Sequence, residues 1–288
     1  MAKRRPVGVF DSGVGGLSVW REIARQAPQE DLLYVADQAH VPYGNRRLRE
    51  VREFSEAITQ FLLDRGAKLV VVACNTASAA ALHYLRRKFP DVPFVGMEPA
   101  VKPAVERSRS RVVGVIATQT TFQGELFTSL LERYTSDVEV LTQICPGLVE
   151  AVEAGSLETA ETKALLRRCL SPLMEAQVDQ LVLGCTHYPF LASAMKEIVG
   201  EGVSIIDPAP AVARQTRRVL ARREEAAEGD RLGRRLFYTT GDAATFREIV
   251  ERLLSPSQRK GRVIEIRWRE SCFKQRLSSP RFGRSRLG

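Results

Sequence analysis

Short apolar runs rich in valine, isoleucine and leucine alternate along this 288-residue chain with longer stretches of helical periodicity. That alternation restricts the fold more than any other feature. The runs at 7–10, 32–36, 69–73, 93–96, 112–117, 138–141, 180–183, 203–206, 236–239 and 263–268 are predicted strands. Between them, 47–65 carries Val51, Phe54, Ile58, Phe61 and Leu62 on one stripe. The segment 158–176 likewise carries Leu165, Leu166, Cys169, Leu170 and Leu173. Strand followed by helix, repeated, leads to parallel pairing, because a parallel crossover needs a dozen or more residues and a helix supplies them. The runs are continuously apolar rather than alternating in and out, so both sheet faces are expected to be covered. The predicted class is α/β, with mostly parallel sheets in helix-covered, three-layer units.

A weak internal repeat divides the chain. Val7-Gly8-Val9-Phe10 returns as Val113-Gly114-Val115-Ile116, an offset of 106. The run from Leu69 into Cys74-Asn75-Thr76 returns as the run from Leu181 into Cys185-Thr186-His187, with the cysteines 111 residues apart. Two similar half-chains are expected. If they face each other, both cysteines end strands and point into one cleft, where open α/β sheets bind ligands.

Cys74 follows a strand and opens a predicted helix, with Thr76 or Ser78 as its expected cap. A thiol at a helix N-terminus has its thiolate favoured by the free N–H groups and the dipole. A small buried core residue is the competing reading. Cys185 repeats the design, with Pro189 suited to a first helical turn and His187 close enough to exchange a proton. The three histidines His40, His83 and His187 give no zinc spacing. Asp11 ends the first strand and runs into Ser12-Gly13-Val14-Gly15-Gly16. That spacing fails the dinucleotide fingerprint GxGxxG. It suits backbone N–H groups turned toward a small carboxylate, with Asp11 either capping a helix or steering a thiol's proton. Val41-Pro42-Tyr43-Gly44-Asn45 reads as a binding loop.

The remaining composition is mostly exclusionary. Five cysteines, scattered and odd in number, give no disulfide framework, so reduced thiols are expected. The net charge is +9, of which +8 falls within 258–288, leaving a near-neutral body. A basic tail over a neutral body is expected to be a solvated appendage; a tether to nucleic acid or an acidic partner is the alternative. No apolar run is long enough for a membrane span and no signal-peptide core is present, so the expected location is cytoplasmic.

Four segments together carry a resemblance. These are Phe10-Asp11-Ser12-Gly13-Val14-Gly15-Gly16-Leu17, Val41-Pro42-Tyr43-Gly44, Ala73-Cys74-Asn75-Thr76-Ala77 and Gly184-Cys185-Thr186-His187-Tyr188-Pro189. In order and spacing they resemble the glutamate racemase family of bacterial cell-wall synthesis, from about Val7 to Trp268. The resemblance implies two α/β domains of related fold closing over glutamate, the first completed by the C-terminal part of the chain. Its expected boundaries are 1–97 plus 208–268 for the first domain and 98–207 for the second, with 269–288 a loosely ordered basic tail. It further implies that Cys74 and Cys185 are the acid/base pair and that no cofactor is used. Asp11 and Ser12, Tyr43 and Gly44, Asn75 and Thr76, and Thr186 and His187 match the family's substrate-contacting pairs. The assisting acid falls in 145–153, where Glu153 is the match by spacing and Glu150 stands in place of a usual proline. Ala36-Asp37-Gln38-Ala39-His40 departs from the commoner Gly-Asp-x-Ala-Arg.

The implied reaction suits these residues. Racemisation takes the Cα proton from one face and returns one to the other, which two fixed thiols do without a swinging base. A free thiol titrates at about 8.5, so a modest shift sets one as thiolate and the other as thiol. The family analogy gives Cys74 the proton of D-glutamate, assisted by Asp11. It gives Cys185 that of L-glutamate, assisted by His187 and Glu153. A homodimer is expected, supplying D-glutamate for peptidoglycan, with no membrane contact. The competing readings are a racemase for aspartate or a hydantoin, a binding module contacting DNA or gyrase through the basic tail, and a thiol redox or metal protein.

Overall fold

The computed structural model describes residues 4–134, 137–269 and 272–275. Its strands are β1 (Val7–Asp11), β2 (Leu32–Ala36), β3 (Leu69–Val72), β4 (Phe94–Gly96), β5 (Val112–Ala117), β6 (Glu139–Ile144), β7 (Gln180–Gly184), β8 (Ser204–Ile206), β9 (Arg235–Thr239), β10 (Arg262–Arg269) and β11 (Cys272–Gln275). The helices are α1 (Leu17–Gln26), α2 (Leu48–Asp64), α3 (Asn75–Lys88), α4 (Val101–Arg107), α5 (Gln119–Phe122), α6 (Glu125–Tyr134), α7 (Leu148–Glu153), α8 (Ala160–Glu175), α9 (Ala192–Val199), α10 (Ala209–Arg222) and α11 (Ala243–Leu253).

Two sheets result. One has the order β11-β10-β9-β2-β1-β3-β4 and the other β6-β5-β7-β8. Pairing is parallel throughout, save that β10 and β11 run antiparallel. The α/β class with mostly parallel sheets is therefore the observed one. All five residues of β1, β2 and β7 are buried, as their unbroken apolar runs require. Each Val or Leu side chain taken fully out of water in such a strand stabilises the fold by roughly 1.5–3 kcal/mol. Trp20 of α1 packs on Phe237 of β9 with ring centroids 4.9 Å apart. One apolar cluster runs from Val9 and Trp20 in the larger sheet's half to Leu148, Val152 and Leu183 in the smaller one's. The two sheets thus share a core beneath the cleft between them.

Strand register places the functional loops. Phe10 pairs with Val72 across β1 and β3, so two residues further on Ser12 comes level with Cys74. Ala117 pairs with Gly184 across β5 and β7, so Thr118 comes level with Cys185. The same strand-end geometry is built twice.

Three expectations need correction. Neither Thr76 nor Ser78 caps α3; the Cys74 sulfur does, accepting the Ala77 N–H at 3.4 Å. Ser78 instead bridges inward, donating to the Val72 carbonyl at 3.1 Å and accepting from Met97 N–H at 2.9 Å. Cys145 and Cys169 are not separate thiols but a disulfide with Cα atoms 5.5 Å apart, because the end of β6 lies against the buried face of α8. Their separation of 24 residues gave no sign of it. Within the expected tail 269–288, Arg269 ends β10 and Cys272–Gln275 form β11; 270–271 and 276–288 lie outside the described residues. Among the described residues no helix is long and apolar enough to cross a membrane.

Candidate active site

Cys74 and Cys185 are both free and buried. Each stands just past the carboxyl end of a parallel strand, β3 for one and β7 for the other. They line the same cavity, of about 10 Å³, with Ser12, Pro42, Tyr43, Gly44, Asn75, Thr76, Thr118, Val149, Thr186 and His187. A wider cavity of about 150 Å³ adjoins it, sharing Pro42, Gly44, Thr118 and Val149 and passing outward by Pro146, Gly147 and Glu150.

Nine of the residues singled out from the sequence therefore meet at one cavity. Asp11 and Glu153 stand behind it. Asp11 is fully buried and accepts the Gly13 N–H at 2.9 Å and the Thr186 hydroxyl at 3.2 Å. Glu153, at the end of α7, accepts from His187 Nε2 at 2.6 Å and from the Val14 N–H at 2.7 Å. His187 Nδ1 lies 3.7 Å from the Cys185 sulfur. His187 thus sits between a carboxylate and a thiol. Of the two glutamates left open by the sequence, Glu153 meets His187, whereas Glu150 is exposed at the wider cavity.

The glycines of the first loop make this approach possible. A Cβ at Gly13 would lie 1.9 Å from Glu153 Oε1, and one at Gly15 2.3 Å from His187 Nδ1. Hydrogen alone fits there.

Asn75 is the least satisfied polar group of the site. Both its amide oxygen and its amide nitrogen are buried with no hydrogen-bond partner among the described residues. Buried amides rarely go unpaired, and an orphan facing a cavity marks where a polar ligand sits. Tyr43, in contrast, donates its hydroxyl to Asp37 at 2.7 Å, away from the cavity.

Burial pushes the Cys74 thiol well above its ordinary range, and the Asp11 charge adds to the rise, against the Ala77 N–H. Cys74 is held as a thiol. Burial also raises the Asp11 carboxyl, opposed by the charge of His187. For His187 burial works downward. Its hydrogen bonds to Cys185 and Glu153 outweigh that and hold the imidazole well above its usual value. No group of three His, Cys, Asp or Glu able to hold a metal ion occurs among the described residues.

The sequence profile of the Asp/Glu/Hydantoin racemase family matches residues 7–216. The chain belongs to this family. It is an isomerase, and it is similar to curated glutamate racemases. The glutamate racemase of Pseudomonas paraeruginosa (strain DSM 24068 / PA7) is 55% identical over 228 residues, 79% of this chain and 86% of that protein. That of Roseiflexus sp. (strain RS-1) is 50% identical over 261 residues, 90% of this chain and 96% of that one. The crystal structure of Escherichia coli glutamate racemase in complex with L-glutamate and the activator UDP-MurNAc-Ala superposes with a TM-score of 0.79. It is 31% identical and covers 91% of this chain and 97% of its own.

Within this racemase scaffold the sequence reading missed several residues. Thr118 lines the cavity and joins Thr76 at 3.0 Å and Thr121 at 2.9 Å, a hydroxyl cluster bridging the two sheets' loops. The offset of 106 that relates β1 to β5 carries Ser12 onto Thr118, so the repeat held the signal. Asp37 was passed over too. It is fully buried and accepts from His40 at 2.9 Å, Tyr43 at 2.7 Å, Thr240 at 2.9 Å and Trp268 at 2.8 Å. His40 and Tyr43 are close to it in the chain, but Thr240 and Trp268 come from more than 200 residues away, and no local pattern joins them to it.

Proposed function

We propose that this chain interconverts L- and D-glutamate without a cofactor, by proton transfer between Cys185 and Cys74 through Cα. The observation that carries the reading is the pair of free, buried thiols at matched strand ends lining one cavity. In the L-to-D direction the Cys185 thiolate takes the Cα proton. The Cys74 thiol gives its proton to the opposite face, leaving Cys185 as thiol and Cys74 as thiolate. The rise in Cys74's proton affinity suits a group that starts as donor. His187, backed by Glu153, exchanges the proton of Cys185, and Asp11 steers that of Cys74.

The carbanionic intermediate needs its charge held. In this reading Asn75, whose amide has no partner among the described residues, takes the α-carboxylate and the charge that spreads into it, together with Ser12 and Thr186 of the same lining. Donors fixed before the reaction, in a cleft that excludes water, stabilise such charge more than bulk water does. In this reading 1–97 with 208–268 forms one domain and 98–207 the other. The product D-glutamate goes to peptidoglycan synthesis in the cytoplasm.

The test is circular dichroism of purified protein with L- or D-glutamate and no added cofactor. Racemisation in both directions is expected, with aspartate and hydantoins turned over far more slowly. Cys74→Ser and Cys185→Ser are each expected to lower the rate by roughly 10²–10⁴-fold with the fold intact. In heavy water the product carries deuterium at Cα. Full activity in either variant, or unlabelled product, refutes the two-thiol route.

A further inference from the structure

Gln38 lies between β2 and the Tyr43 loop, outside the cavity lining, and the reaction as described assigns it nothing. Its amide is nevertheless oriented by a chain of polar contacts. The Gly241 N–H donates to the Thr239 hydroxyl oxygen at 3.0 Å, and that hydroxyl donates to Gln38 Oε1 at 2.7 Å. Thr239 is fully buried. With its oxygen committed to Thr239, the Gln38 amide must turn its NH₂ the other way, and Nε2 meets Glu153 Oε2 at 3.2 Å.

We infer that Gln38 is a positioning residue that aims the Glu153 carboxylate at His187 across the cleft between the two sheets. This rests on the reading of His187 as the proton partner of Cys185. Glu153 ends a six-residue helix, and the last torsion of a glutamate is broad, so α7 alone does not fix how the carboxylate plane faces His187. Three donors fix it. Val14 N–H and His187 Nε2 share Oε1, and Gln38 takes Oε2. Val14 and Gln38 come from loops of the seven-stranded sheet, Glu153 and His187 from the four-stranded one.

The neutrality of the donor matters. A lysine or arginine in this place would pair with Glu153 and compete with His187 for its charge. An amide orients the carboxylate and leaves its charge to the imidazole. The other titratable groups around the pair are Asp11 at the end of β1, Tyr34 on β2, Cys185 past β7 and Glu150 on α7 itself; Asp11 feels both His187 and Glu153, and Tyr34 feels Glu153.

Two variants of the full chain test this. Gln38→Ala removes the donor. Gln38→Glu keeps the shape and replaces the donor with a second carboxyl facing Glu153, and such a pair shares a proton as pH falls. The first readout is the His187 imidazole titration by ¹⁵N NMR. Gln38→Ala is expected to lower its midpoint by about half a pH unit or more. The second is kcat/KM across about pH 6–8. Gln38→Ala is expected to lose roughly threefold to tenfold. For Gln38→Glu, activity relative to wild type is expected to rise as pH falls, because the shared proton restores a donor. An unmoved His187 titration, or a loss in Gln38→Glu that is constant with pH, overturns the inference and leaves Gln38 a packing residue. A wild-type chain that fails to racemise glutamate overturns the proposed function instead, while the His187 titration still reads the positioning.

Discussion

Asn75 and His187 show how single residues trade stability for chemistry here. The Asn75 amide is buried without a partner among the described residues, which costs the free protein the desolvation of both its polar atoms. Asn75→Ala removes that cost. The variant is expected to unfold at the same or a higher temperature, while kcat/KM falls by about 10–100-fold through loss of the substrate's hydrogen bond. Thermal melts and progress curves on one preparation check both halves. A variant that lost stability and activity together would make Asn75 structural. His187 carries a pH signature. Its folded-state proton affinity lies well above the ordinary value of about 6.5, so it stabilises the fold fully below that pH. The contribution fades as pH rises through the higher folded-state value. Unfolding free energies from urea titrations are therefore expected to decline from about pH 6.5 upward, and less so in His187→Gln. Cys74 works in the same sense above its own ordinary range.

At the scale of elements, most strands and the paired cysteine loops were legible because they rest on local pattern. Unbroken apolar runs mark strands buried on both faces, and Cys74-Asn75-Thr76 and Cys185-Thr186-His187 repeat at matched strand ends. What stayed hidden depends on pairings that no local apolar pattern marks: β11 is defined by its antiparallel pairing with the adjacent β10, Asp37 by its distant donors Thr240 and Trp268, and the Cys145–Cys169 bond by β6 meeting α8. The cap of α3 was misread because serine and threonine lead at that position, and here a sulfur takes it. The glycine loop between β1 and α1 was read as an anion cradle. Its closest contacts are with side chains of the other half of the molecule. This yields a sharp expectation. In Gly15→Ala the new methyl would fall 2.3 Å from His187 Nδ1, so the ring must move off the Cys185 sulfur. Activity is expected to fall by roughly 100-fold or more, as misplacement of about 1 Å does. Gly66→Ala, with nothing within 4 Å of its Cβ but a positive φ of 79°, is the control: it loses stability and keeps activity.

For the whole molecule the size of the cavity decides how the enzyme must move. About 10 Å³ is room for roughly one water, not for a five-carbon dicarboxylate. Glutamate therefore enters only if the two sheets' loops part, widening the passage by Gly147 and Glu150. Contacts that span the cleft from donors outside the cavity lining then hold the molecule shut. The Thr120 hydroxyl is one, donating to the Gly44 carbonyl at 2.7 Å from a buried position. Ser18 donating to the Thr186 carbonyl at 2.9 Å is another. Thr120→Val deletes a net contribution of about 0.5–1.5 kcal/mol to closure and changes no cavity wall. If the closed state is the one that binds and reacts, KM for both enantiomers should rise by roughly twofold to tenfold. Where opening limits turnover, kcat should stay level or rise. Because the two enantiomers are equal in free energy, kcat/KM must fall by the same factor in both directions, which checks the measurement internally. An unchanged KM in both directions would mean that this bond does not govern closure. A fall in kcat with KM unchanged would place Thr120 in the chemical step rather than in the motion that admits the substrate.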